Sequence, residues 1–185
     1  MEILKDINEI KTGDTLLVSS NSWLGKIIQK FEKNLYNHAG MFVWRGTILF
    51  VAEMVKEGLV LTNFNEYIKG KSKLLILKPI FPVNKKKYEE HIEPQLGREK
   101  YGFFNLCVTQ PIKYLTNHRI WLGDVDDDNP KRLICGEFVE KEYNFHNPAY
   151  FTNWKRDAPS DIYNSILFHH FLFERQCKDN YIFPK

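Results

Sequence analysis

Three side chains in this sequence could together attack a carbonyl carbon: the thiol of Cys135, the imidazole of His38 and the carboxylate of Glu53. A free thiol is mostly protonated at neutral pH, so it becomes a nucleophile only beside a base or in a positive field. Cys135 lies in the stretch RLICGEFVEKEYNF, Arg132 to Phe145. There Ile134, Phe138, Val139 and Tyr143 recur near i, i+4, i+5 and i+9, which predicts a helix with one apolar face, Glu137, Glu140, Lys141 and Glu142 pointing elsewhere. Pro130 just upstream suits a helix start, so Cys135 is expected in or near the first turn. Unpaired backbone N–H groups and the positive end of the helix dipole favour a thiolate at that position. Gly136 beside it leaves space for an approaching group. The same pattern also fits a buried structural cysteine.

The base must come from six histidines, at positions 38, 91, 118, 146, 169 and 170. His146 closes the cysteine helix about 16 Å along the axis from Cys135, too far for proton transfer. His91 falls on a charged helix and His118 in a loop. His169 and His170 are adjacent, so their side chains diverge, and no Cys or carboxylate spacing completes a metal site. His38 opens a predicted strand and is followed by the small residues Ala39 and Gly40, although a satisfied core or surface histidine would look the same. Glu53 is the one carboxylate in the next strand, inside the apolar run LFVAEMV. An unpaired buried charge is expensive, so this acid needs a partner, which His38 on the paired strand would supply, unless it simply turns to water at a strand end.

The elements that must position these groups follow from periodicity and turn residues. Thr15 to Ser19 reads as a strand, and Trp23, Ile27, Ile28 and Phe31 mark one face of a helix capped by Asn21 or Ser22 and ending near Asn34. His38 to Trp44, Ile48 to Met54 and Leu59 to Leu61 form further strands, joined by turns at Arg45-Gly46-Thr47 and Lys56-Glu57-Gly58. A short helix is expected over Asn63 to Lys69 and a strand over Lys73 to Lys78. The second half is helical and charged from Lys85 to Leu96, with Pro94 ending or kinking the helix, then aromatic and helical from Tyr101 to Leu115. Trp121 to Pro130 reads as a polar loop; its consecutive acids lack the alternating ligands and glycine of a calcium loop, so no metal is expected. Asn147 to Arg156 is expected to be irregular, and a last helix starts at Ala158-Pro159-Ser160-Asp161.

Composition narrows the function classes. The 185 residues suit a single domain, residues 1–185, with a core rich in the rings of 14 Phe, 9 Tyr and 4 Trp. A net charge of +3 with no basic stripe is no footprint for nucleic acid. Three widely spaced cysteines (Cys107, Cys135 and Cys177) form no disulfide framework. The charged N-terminus has no signal-peptide pattern, and no run approaches the roughly 20 apolar residues of a membrane span. A soluble protein with cytoplasmic location by default is expected.

The order of these segments resembles the circularly permuted NlpC-type papain-fold cysteine hydrolases, in particular the YiiX-like group, with lecithin:retinol acyltransferase as a more distant relative. Gly13-Asp14 with Ser19-Ser20-Asn21-Ser22 is similar to the opening of those proteins, and Tyr36-Asn37-His38-Ala39-Gly40-Met41 to their histidine strand, S-H-V-G-I. Val51-Ala52-Glu53 with Gly58-Leu59-Val60 resembles their E-A…G-V stretch, and Lys100-Tyr101-Gly102 their K-Y-D. Cys135-Gly136-Glu137-Phe138-Val139 resembles C-S-E-L-V, and Ala158-Pro159-Ser160-Asp161-Ile162 the closing helix. Gly136 stands where the family has serine, and Gly102 where it has aspartate.

The resemblance implies an α+β permuted papain-like fold, a small antiparallel sheet or partial barrel packed against the cysteine helix. It also implies a triad of Cys135 as nucleophile, His38 as general base and Glu53 as orienter, with Tyr101 lining the substrate site and no cofactor. The expected reaction is cleavage of an amide in a small peptide or peptidoglycan-like fragment through a thioester. A lipid-directed thioesterase or acyltransferase acting on lipid amides or esters, and a non-catalytic binding protein that keeps the fold, are the alternatives.

Overall fold

The structure, a computed structural model, describes residues 2–4, 6–70, 72–98, 100–101, 132–133, 135–148, 159–165 and 167–173. In chain order these form β1 (Glu2–Leu4), a 3-10 turn (Ile7–Glu9), β2 (Thr15–Ser19), α1 (Trp23–Glu32), β3 (His38–Arg45), β4 (Ile48–Val55), β5 (Gly58–Asn63), α2 (Phe64–Lys69) and β6 (Lys73–Pro79). They continue with α3 (Lys85–Ile92), a second 3-10 turn (Glu93–Gln95), β7 (Lys100–Tyr101), β8 (Arg132–Leu133), α4 (Cys135–His146), α5 (Pro159–Asn164) and β9 (Phe168–Phe173).

Seven strands make one sheet in the spatial order β1-β9-β6-β2-β3-β4-β5, while β7 and β8 pair separately. Neighbours in the large sheet run antiparallel except β1, which joins β9 in parallel. Among the described residues the sheet is open, with strands β1 and β5 at its two edges. The hairpin turn between β3 and β4 places Gly46 at φ 61°, in the left-handed region that glycine enters without steric cost. Strand β9, FHHFLF, was not anticipated. It gains its identity from pairing with β6 and β1 rather than from its own pattern.

Both faces of the sheet are covered, which explains why β3, β4 and β6 read as nearly continuous apolar runs. On one face, Phe138, Val139 and Tyr143 of α4 are fully buried against Ala39, Met41 and Val43 of β3 and Ala52 and Met54 of β4. On the other, Leu16, Val18, Phe42, Val51, Leu74 and Ile76 pack with Phe64 of α2. The period-two alternation along β3 thus feeds two cores from one strand.

Two expectations about the cysteine helix change. It begins at Cys135 and not at Arg132, because Arg132 and Leu133 are extended and pair in parallel with Lys100 and Tyr101. Tyr101 is accordingly in a strand, not at the start of a helix. The second change concerns Glu142, expected to face outward but fully buried. Helix α3 lies over it: Glu142 Oε2 is 2.9 Å from His91 Nδ1, and Gln95 Nε2 donates to Glu142 Oε1 at 3.1 Å. The aromatic segment around Phe103, Phe104 and Leu106, the acidic loop Trp121 to Pro130, most of the stretch from Asn147 to Arg156, Cys107 and Cys177 lie outside the described residues.

Tyr143 locks α4 to the start of β2. Its hydroxyl donates to the Gly13 carbonyl at 2.6 Å and lies 2.8 Å from Thr15 Oγ1, both inside the core. Tyr143→Phe would leave these acceptors without the phenol while keeping the ring volume. It is expected to lower unfolding stability by about 1–3 kcal/mol in a urea titration, with an unchanged m-value.

Candidate active site

His38 is the first residue of β3, and its backbone is fixed from the preceding position. The Asn37 N–H donates to Val18 O at 2.9 Å, Asn37 Nδ2 donates to Ser20 O at 2.9 Å, and Asn37 Oδ1 accepts from Ser20 N at 3.2 Å. These bonds set the register that pairs His38 with Val18. Glu53 in β4 sits directly across from Gly40, not from His38. Histidine and acid are therefore diagonal neighbours on one face, a separation that long side chains can bridge.

Gly40 makes that bridge possible. A Cβ built there would lie 2.6 Å from Val51 Cγ1, 3.0 Å from Ala52 O and 3.2 Å from Glu53 Cβ. With no side chain between them, His38 Nε2 and Glu53 Oε2 form a short hydrogen bond. The acid is 3% exposed and has a further donor, the Tyr67 O–H of α2, which bonds to Oε2; Thr62 of β5 is near enough to help lower its pKa. Burial pushes the Glu53 carboxyl up, but the bonds from His38, Thr62 and Tyr67 outweigh it and hold it below the usual carboxylate range.

Cys135 lies on the other side of the site, near enough for its side chain to raise the His38 pKa by hydrogen bonding and charge. Cys135 is the first residue of α4 and is 4% exposed, whereas the imidazole is 23% exposed. Burial of the ring opposes its charged form, but the hydrogen bonds and charges of Cys135 and Glu53 overcome this and hold the His38 pKa up at about 10. At neutral pH the ring is an imidazolium between two groups that can accept its protons.

The structure therefore brings Cys135, His38 and Glu53 together. The backbone of Tyr101 is also near, since it pairs with Leu133, two residues before Cys135, while its side chain lies outside those described. Tyr67 and Thr62 were not anticipated. The signal available was Asn63-Phe64-Asn65-Glu66-Tyr67, a capped helix whose Phe64 enters the core, so that Tyr67, three residues on, shares its face. That face could be read, but its buried acid partner could not. The other described histidines are elsewhere: His91 pairs with Glu142, His146 is 5.5 Å from the Tyr88 ring between centroids, His169 is exposed on β9 opposite Lys78, and His170 stacks on Tyr163. A cavity of about 610 Å³ lined by Lys11, Asp14, Trp44, Lys78 and Phe81 opens at the far end of β2 and includes none of the three residues.

These features define an α+β protein with a YiiX-like fold. A comparison with solved structures places it beside the crystal structure of the metalloprotein YiiX from Escherichia coli O157:H7, with a TM-score of 0.60 and 20% identity over 87% of this chain and 96% of that one. No family model and no curated protein matches the sequence. YiiX is described as a metalloprotein; among the described residues here, no three His, Cys, Asp or Glu side chains converge as ligands. Among them, too, no helix is long and apolar enough to cross a membrane.

Two outcomes follow from this geometry. Glu53→Gln removes the carboxylate charge and is expected to drop the His38 pKa by more than one unit from its value near 10, read from the imidazole resonances by NMR titration. A raised histidine pKa contributes stability that is fully present below the unfolded value near 6.5 and is lost as pH rises through about 10. The stability gap between wild type and Glu53→Gln should therefore narrow across that window. Gly40→Ala forces β4 away from β3 and is expected to cost about 1–3 kcal/mol in chemical denaturation and to weaken the His38–Glu53 bond.

Proposed function

We propose that this protein is a thiol hydrolase that cleaves an amide bond in a small peptide or peptidoglycan-like substrate, using Cys135, His38 and Glu53. The observation that carries the reading is a single imidazole bonded to a buried glutamate, with the Cys135 side chain close enough to act on the same ring. In this reading the thiolate of Cys135 attacks the carbonyl carbon, and the His38 imidazolium gives its proton to the departing amine. A thioester remains on Sγ. His38, now neutral, takes a proton from water, which attacks the thioester and releases the acid. Glu53, fixed by Tyr67 and Thr62, keeps the ring oriented and stabilises its charge.

Because Cys135 opens α4, the first backbone N–H groups of that helix have no partner within the helix and supply donors for the developing oxyanion. Tyr101 is assigned to the wall of the substrate site, since its backbone lies on the strand paired just ahead of Cys135. The order His38, Glu53, Cys135 along one domain of residues 1–185 agrees with a permuted papain-like arrangement, in which the cysteine helix follows the strands instead of preceding them.

A lipid-directed thioesterase or acyltransferase is the second reading. It is favoured by Trp23 and Leu35, which are 78% and 48% exposed and belong to the segments leading into His38. The two readings share the thioester and differ in the acyl donor.

The test is to trap the acyl-enzyme with activated peptide esters and with acyl-chain thioesters and to map the adduct by mass spectrometry. The adduct is expected on Cys135 and to be absent in Cys135→Ala. His38→Ala should slow its formation about 10²–10⁴-fold. Acylation of another residue, or equal rates in His38→Ala, would sink the proposal.

A further inference from the structure

The described side chains of helix α1 divide into an inner and an outer side. Gly25 is buried, and a Cβ on it would lie 2.4 Å from Asn37 Nδ2; Gln29 Nε2 donates to Ser19 Oγ at 3.1 Å and to Leu35 O at 2.6 Å. This inner side ties α1 to the residues just before His38. The outer side carries Trp23, Lys26, Lys30 and Lys33 at i, i+3, i+7 and i+10, all exposed. Leu35, also exposed, follows directly. The surface is thus a ridge with an indole at one end, an aliphatic side chain at the other and three ammonium groups between them.

Two features set this ridge apart from ordinary surface. Trp23 was expected on the buried apolar face, yet it is the most exposed large apolar side chain of the described residues. Three lysines on other helices sit beside acids one turn away, Lys69–Glu66, Lys85–Glu89 and Lys86–Glu90. None of Lys26, Lys30 and Lys33 is in an ion pair among the described residues. Ammonium groups with no acidic partner among the described residues, flanked by an indole and a leucine, match an anionic lipid surface: the indole occupies the headgroup level, the leucine enters the acyl boundary, and the lysine stems lie along it with their charges at the phosphates.

We propose that the outer ridge of α1, with Leu35, docks this protein on an anionic bilayer. The docked face adjoins the strand start that carries His38, so acyl chains leaving the bilayer would meet the site from that side. This last step rests on the lipid-directed reading above; the docking itself does not.

The experiment is co-sedimentation of the full chain with phosphatidylcholine vesicles with and without phosphatidylglycerol, at low and high salt. Wild type is expected to sediment with the anionic vesicles at low salt and to be released by high salt. Each lysine near such a surface strengthens binding about fivefold, so Lys26→Glu with Lys30→Glu should weaken it at least about tenfold. Trp23→Ala should weaken it too, and the fluorescence difference between wild type and Trp23→Phe should shift to the blue on binding. These side chains are exposed, so circular dichroism should show the variants folded. Failure of wild type to bind, or binding unchanged in the charge-reversed variant, would overturn docking. Cys135→Ala should bind as wild type does. Loss of docking with thioester formation intact would leave the catalytic proposal standing, and docking without any thioester would do the reverse.

Discussion

A charged imidazole inside a protein is tolerated only when its two N–H groups meet acceptors, and the placement of β3, β4 and α4 serves that requirement at His38. The ring contacts Glu53 from the sheet and Cys135 from the helix. Neither partner would serve alone. Removing the carboxylate would take away part of what holds the ring charged against its burial, and replacing Cys135 would take away the rest. Glu53 is itself a buried charge and is stabilised by more than the histidine, since Tyr67 and Thr62 add neutral donors to its oxygens. The site is thus a chain of compensations running from α2 through β4 and β3 to the first turn of α4.

Its geometry depends on packing far from the chemistry. Cys135 is placed by where α4 starts, and that is fixed at both ends. Upstream, Arg132 and Leu133 give their backbone hydrogen bonds to Lys100 and Tyr101, which keeps them extended. Downstream, Tyr143 ties the helix to Gly13 and Thr15. Phe138 and Val139 hold the axis against β3 and β4 between those points. A shift of one residue in the helix start would turn Cys135 by about 100° around the axis, away from the imidazole.

Much of this was legible in the sequence because it is local. The strands His38 to Trp44 and Ile48 to Met54, their hairpin turn and the apolar spacing in α4 each follow from neighbouring residues. The pairing of a lone acid in an apolar strand with a histidine on the next strand follows from the cost of burying charge. What stayed hidden is set by contacts across the chain. Arg132 and Leu133 fit the helical spacing and were drawn into a strand by a distant partner. Strand β9 has no alternation and exists because β6 and β1 flank it. Tyr67 reads as an ordinary helix aromatic until Glu53 is seen beside it. Glu142 looks like a surface acid on a charged face, and only the packing of α3 buries it.

Glu142 also shows why a His–Glu pair is not in itself a catalytic device. His91 and Glu142 lie 2.9 Å apart, with the acid fully buried, much as in the His38–Glu53 pair. The environments differ in three respects. The Glu142 carboxyl is pushed up, because burial outweighs the bonds it receives from His91 and Gln95, whereas Glu53 is held down by its donors. The His91 ring is stacked on Phe145, with centroids 3.7 Å apart and planes within 6°, so an aromatic face covers it. Above all, this pair lies along the last turns of α4, about 10 Å from Cys135 at the standard rise per residue. One helix therefore has a histidine–carboxylate pair near each end, and among the described residues only the pair at its N-terminus lies beside a thiol. The difference between a structural ion pair and a candidate catalytic one lies in that placement, since the residue types are the same.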